Sequence, residues 1–174
     1  MATRWTSADL ENHKAKQSAT KPKKAKRETA GLTGVEAIEA RRKAVYLVGV
    51  DPGVNTGLAV KYKGEFSTVG TFEIFDAIMT VWDFAKSGQP IFVRIEDARQ
   101  RTWFGKTDRE RLKGAGSVER DCKIWEEVLA ELKIPFEFVH PKNVKATTAE
   151  QFEKLTGWTG RTSIHAREAA WLII

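Results

Sequence analysis

Short apolar runs alternate with apolar stripes at helical spacing along residues 44–174, which predicts an α/β fold. The clearest run, Val45 to Val50, is rich in β-branched residues and ends on Asp51. Pro52-Gly53 and Asn55-Thr56-Gly57 then form a tight turn, and a second strand follows at about Leu58–Tyr62. Lys63-Gly64 makes a hairpin turn into a third strand at about Phe66–Ile74, with Phe66, Thr68, Gly70 and Phe72 on one face. Three strands joined by short turns predict an antiparallel meander. Asp76 is the expected cap of a helix carrying Ile78, Val81, Trp82 and Ala85, which Ser87-Gly88 ends. A fourth strand, Pro90 to Ile95, comes after this helical crossover and should run parallel to the first.

Beyond Glu96-Asp97 the pattern changes. Residues 99–113 have little helical or strand periodicity, so they read as a loop, and Gly114-Ala115-Gly116 leads to Ser117 as the cap of the next helix. That helix carries Val118, Cys122, Trp125, Leu129 and Leu132 as one stripe, suited to packing on the sheet or on a twin subunit. Lys133-Ile134-Pro135 turns into a fifth strand, Phe136 to His140. Two short helices follow, one opened by Pro141 and one at about Thr148–Leu155. A loop at Thr156–Arg161 then leads to a last helix with Ile164, His165, Glu168, Ala169, Leu172 and Ile173.

Composition narrows the class. A hydrophobic content of 41% and an aromatic content of 10% support a real core. No apolar run is long enough for a membrane span and no signal peptide is visible, so a soluble, cytoplasmic protein is expected, with no membrane partner. The one cysteine, Cys122, rules out an internal disulfide and is expected to be buried and inert. The net charge of +6 lies wholly in residues 1–43, which carry 11 basic and 5 acidic residues and leave 18 of each sign beyond. Residues 1–43 thus read as a basic, largely disordered N-terminal extension with a helix at 34–43, and residues 44–174 as the domain. A basic tail favours a polyanion, although it serves equally as a solubilising leader.

Candidate chemistry begins with the two acid-terminated strands. Parallel strands ending on Asp51 and Glu96 bring both carboxylates to one end of the sheet. On the last helix His165 and Glu168 are three residues apart and project from one face. Small neighbours, Ala166, Ala169 and Ala170, let that helix press on the sheet. Asp51, Glu96, His165 and Glu168 would then surround one spot with ligands for a divalent cation, or His165 would carry a proton. Against this stands the plainer reading of a polar strand terminus and a surface His–Glu pair. Arg99, Arg101, Trp103, Phe104, Lys106, Arg109, Arg111 and Lys113 place cations beside rings that can stack on unpaired bases, which suits nucleic-acid binding. His140, at a strand end, is open to a structural role or to the site.

These motifs, in order, resemble one family. Val48-Gly49-Val50-Asp51-Pro52-Gly53-Val54-Asn55-Thr56-Gly57, Ile95-Glu96, Pro141-Lys142-Asn143-Val144-Lys145 and His165-Ala166-Arg167-Glu168-Ala169-Ala170 resemble the RuvC-type Holliday-junction resolvases, in a phage-encoded version. The resemblance implies an RNase H-like fold: a five-stranded mixed sheet, with a three-strand antiparallel meander and further parallel strands, flanked by helices. It implies a homodimeric endodeoxyribonuclease that resolves four-way DNA junctions by paired nicks in recombination, repair or phage DNA processing in a bacterial host. It further implies two Mg²⁺ ions per site, replaceable by Mn²⁺, on Asp51, Glu96, His165 and Glu168, driving in-line phosphodiester hydrolysis. Lys145 matches the family's transition-state cation, Lys142 is a further DNA contact in the same segment, and Trp103 or Phe104 resembles in position its junction-centre aromatic. Glu168 stands where the family has Asp, and a second family lysine has no convincing counterpart.

Other classes share parts of this pattern. A related nuclease for flaps, forks or RNA–DNA hybrids would have the same site, and the Glu168 departure suits a catalytically weak DNA-binding scaffold. An actin-like ATPase also follows its first strand with an Asp-x-Gly turn. It repeats that motif in a second lobe, for which this chain has neither the copy nor the room, so no nucleotide cofactor is expected.

Overall fold

The computed structural model describes residues 31–100 and 109–174, with side chains for 31–100 and 116–174. Five strands form one sheet: β1 (Tyr46–Asp51), β2 (Thr56–Tyr62), β3 (Glu65–Phe72), β4 (Ile91–Glu96) and β5 (Phe136–Val139). Among the described residues five α-helices accompany them: α1 (Gly34–Lys43), α2 (Ile74–Lys86), α3 (Arg109–Glu131), α4 (Ala149–Thr156) and α5 (Ile164–Trp171). The sheet order is β3-β2-β1-β4-β5, antiparallel through β3-β2-β1 and parallel through β1-β4-β5. This is the mixed sheet, a three-strand antiparallel meander plus parallel strands, that the sequence predicts.

The alternation along β1 explains the layers. Val48 and Val50 point to one face and join Leu58, Val60, Val93, Ile95, Trp125 and Leu129 in a core beneath α2 and α3. Leu47, Gly49 and Asp51 are out of phase with them and face the opposite side, where α5 packs. Because both faces are covered, central strands read as nearly continuous apolar runs. Each fully buried Leu, Ile or Val contributes roughly 1.5–3 kcal/mol. The stripe on α3 is spent on this core, since Cys122, Trp125 and Leu129 have no exposed surface. These three side chains are therefore covered within the chain itself. Helix α1, expected at 34–43, docks on the domain: Ala37 is buried, and just before the helix the Leu32 N–H donates to the Phe136 carbonyl at 2.7 Å.

Three local expectations are corrected. The third strand does not keep Phe66 and Phe72 on one face. Val60 pairs with Thr68 while Lys61 pairs with Phe66, so an extra residue at Ser67 makes a bulge. The bulge turns Phe66 towards Phe152 of α4, ring centroids 6.0 Å apart, while Phe72 joins the core on the other face. Helix α2 begins at Ile74 with Glu73 as its cap, and Asp76 lies in its first turn, where a carboxylate meets the positive end of the helix dipole. Helix α3 begins at Arg109, not after Ser117, and runs through Gly114 and Gly116. Each glycine costs only about 1 kcal/mol in a helix, less than continuing a long helix whose stripe is buried further on returns.

Close backbone packing joins α5 to β1 and β2. A Cβ on Gly49 would lie 2.0 Å from the Ala169 carbonyl oxygen, and one on Gly57 would lie 2.1 Å from that of His165. Ala166, Ala169 and Ala170 complete the contact without exposed surface. Gly57→Ala is therefore expected to destabilise the protein by about 2–3 kcal/mol, because backbone must move to admit the methyl group. Urea unfolding checks this, and a loss below about 0.5 kcal/mol would show that the seat of α5 is loose.

Candidate metal centre

Asp51 is the last residue of β1 and is held at a sheet end by its neighbours. It pairs across to Gly57, and the Thr56 hydroxyl donates to the Gly53 carbonyl at 2.7 Å, closing the turn between β1 and β2. The Ser163 hydroxyl caps α5 by accepting from the Ala166 N–H at 3.0 Å, and lies 2.5 Å from the Thr71 hydroxyl of β3. At the other end of α5 the Arg94 guanidinium donates to the Leu172 carbonyl and pairs with Glu137 at 2.5 Å. Helix α5 is thus fixed at both ends as well as along its glycine seat.

This placement brings together Asp51, His165 and Glu168. One ligand atom from each lies within 4.8 Å of the other two. His165 Nδ1 is 2.8 Å from Asp51 Oδ2 and 3.9 Å from Glu168 Oε2. Two carboxylates and an imidazole suit a hard or borderline divalent cation, so the donor set fits the ion that the sequence implies. Glu96 ends β4 beside β1, as its register requires, and is buried at 2% exposure. It lies outside the three-residue cluster but acts on Asp51 through its charge.

The electrostatics of Asp51 follow from this company. Burial, then repulsion from Glu96 and Glu168, pushes its carboxyl up to about 7, while the hydrogen bond and charge of His165 pull the other way. A cation would relieve both the burial and the repulsion.

The remaining candidates are placed as follows. Lys145 is exposed on the segment after β5, and its ammonium lies over the Trp171 ring, 5.7 Å from the centroid. Lys142 is exposed nearby. Arg99 is engaged inside the fold, paired with Asp97 and Glu126 at 2.6 Å each and stacked on Phe138. Two carboxylates balance its charge there. Arg101, Trp103, Phe104 and Lys106 lie outside the described residues, as do the side chains of Arg109, Arg111 and Lys113. His140 has a structural role, its Nδ1 accepting from the Lys142 N–H at 3.1 Å at the start of a 3₁₀ turn. Cys122 is fully buried and its thiol is raised to about 11, chiefly by burial, so it is inert. Gly49 was the contributor without an obvious signal: a glycine mid-strand marks a close backbone approach, here that of α5.

No protein-family model matches the sequence, and no curated protein matches it. Among solved structures, the chain is similar to T. thermophilus RuvC in complex with a Holliday junction substrate. That likeness has 16% sequence identity and a TM-score of 0.49, and covers 74% of this chain and 89% of that one. The chemistry of the site is therefore read from its own residues.

Asp51 sets a pH dependence. The folded protein keeps a proton on this carboxyl up to about pH 7, whereas the unfolded chain releases it near the ordinary value of 3.8. The stability this group contributes is thus present at low pH and lost as pH rises from about 4 to 7. In the presence of a chelator, the difference between the wild type and Asp51→Asn is expected to change by up to ~1.4 kcal/mol per pH unit over that window. A difference independent of pH, measured by urea unfolding, would place the Asp51 carboxyl in its ordinary range.

Proposed function

We propose that the chain is a divalent-cation-dependent endonuclease of the RuvC type, acting on branched DNA. The observation that carries this reading is the Asp51–His165–Glu168 cluster at the end of the first strand, with Glu96 ending the next parallel strand. Residues 44–174 serve as the nuclease domain, and the basic 1–43 segment adds affinity for a polyanion. Among the described residues no helix is long and apolar enough to cross a membrane.

In this reading Asp51, Glu168 and His165 would hold Mg²⁺, and Glu96 would contribute a further carboxylate where a second ion is bound. Such cations, when bound, would supply Lewis-acid activation of water and stabilisation of the leaving 3′-oxygen. Asp51 orients the cluster from a rigid strand end, and His165 fixes its carboxylate through the Nδ1 contact. Lys145, on the exposed segment beside α5, neutralises charge that builds on the scissile phosphate. A two-fold substrate suits a homodimer. Its interface would use the open apolar groove between α2 and α3, lined by Ile78, Met79, Trp82, Val128 and Leu132, rather than the fully buried Cys122, Trp125 and Leu129 of the α3 stripe.

The test incubates purified protein and Mg²⁺ with a four-way junction, a flap, a linear duplex and an RNA–DNA hybrid. Paired nicks in the junction are expected, falling on the order of 10³-fold, about 4 kcal/mol, in Asp51→Asn. Equal cutting of all four substrates would leave a nuclease but remove the junction specificity. Junction binding without cleavage under Mg²⁺ or Mn²⁺ would make the protein a DNA-binding scaffold.

A further inference from the structure

Helix α5 grips a second element besides the sheet. Arg167 and Trp171, four residues apart and so on one side of the helix, both hold the segment that carries Lys145. Arg167 Nε donates to the Thr147 carbonyl at 2.7 Å, and its Nη1 donates to the Thr162 carbonyl at 2.9 Å and the Thr162 hydroxyl at 3.1 Å. Four residues further along, the Trp171 ring lies under the Lys145 ammonium. Immediately after Thr147, Thr148 caps α4 in a reciprocal pair with Gln151, its hydroxyl accepting from the Gln151 N–H at 3.2 Å. The stretch from Lys145 to Thr148 is therefore fastened twice, to α4 at one end and to α5 along its length.

We propose that Arg167 and Trp171 are positioning residues that set where the Lys145 ammonium stands relative to the Asp51–His165–Glu168 cluster. An exposed lysine on a flexible four-carbon stem samples many rotamers. A ring beneath the ammonium narrows that sampling through cation–π attraction, and the planar fork of Arg167 fixes the backbone from which the stem grows. Since α5 also carries His165 and Glu168, one helix holds two of the cation ligands and fastens the segment from which Lys145 grows. A lysine in place of Arg167 has no second arm to bridge Thr147 and Thr162 together. The kinetic consequence rests on the nuclease reading above, whereas the geometry does not.

Two measurements test this and separate it from that reading. In protein whose lysines carry ¹³C-dimethyl groups, the Lys145 signal, assigned by its absence in Lys145→Arg, is expected to be displaced upfield by the Trp171 ring. The displacement should vanish in Trp171→Leu and shrink in Arg167→Gln under conditions where circular dichroism shows the variant folded. A Lys145 signal that does not move in Arg167→Gln overturns the proposal. On a four-way junction, Arg167→Gln is expected to lower kcat about tenfold with KM and Mn²⁺ affinity within about twofold of wild type, and Lys145→Ala to lower kcat about 10²-fold. The double variant should be no slower than Lys145→Ala alone, because Arg167 acts only through Lys145. Losses that multiply would make Arg167 a general structural staple and overturn the proposal. If the wild type cuts no substrate, the nuclease reading fails while the lysine signal still decides the positioning.

Discussion

The structure depends on the contact between α5 and the two central strands. Gly49 and Gly57 present bare backbone to the helix, and Ala166, Ala169 and Ala170 answer with side chains small enough to lie against it. Any Cβ at either glycine would overlap a helix carbonyl, so the distance between helix and sheet is set by the absence of side chains. That short distance brings His165 and Glu168 to the end of β1. With a larger spacing the same residues would form a surface pair, and Asp51 would be an ordinary strand-end acid.

The seat has an electrostatic cost. Gathering Asp51, Glu96 and Glu168 near one another, with two of the carboxylates buried, opposes ionisation and raises the Asp51 carboxyl well above its usual range. His165 offsets part of this from 2.8 Å away. The rest is held by a scaffold pinned at both ends of α5, through Ser163 and Thr71 at one and Arg94 and Glu137 at the other. A site that is costly when empty and relieved by a cation is what an exchangeable divalent centre requires.

Much of this was legible in the sequence, for reasons that differ by element. β1 and β4 announce themselves by apolar runs ending on acids, and the turn at Lys63-Gly64 by its residues, whose positive φ values fit a tight hairpin. His165 and Glu168 could be paired because helical periodicity is a local property. What the sequence hides is non-local or cooperative. The bulge at Ser67 is decided by how β3 meets β2 and by the room beside Phe152, neither of which leaves a mark near Phe66. The start of α3 was obscured by Gly114 and Gly116, whose unfavourable propensity is overridden by the buried stripe further on. The pairing of Arg99 with Asp97 and with Glu126, the latter distant in sequence, is likewise invisible in its run of basic neighbours.

A glycine-seated helix that builds a divalent-cation site on Asp51 must bind such an ion in the free protein. Titration of metal-free protein with Mn²⁺ at pH 7.5, with the free ion followed by electron paramagnetic resonance, tests it without reference to any substrate. Saturable binding is expected that is lost in Asp51→Asn and weakened about tenfold or more in Glu168→Gln, each lost ligand being worth on the order of 1.4 kcal/mol or more. Binding of equal strength in wild type and Asp51→Asn, or no binding to the folded wild type, would contradict it.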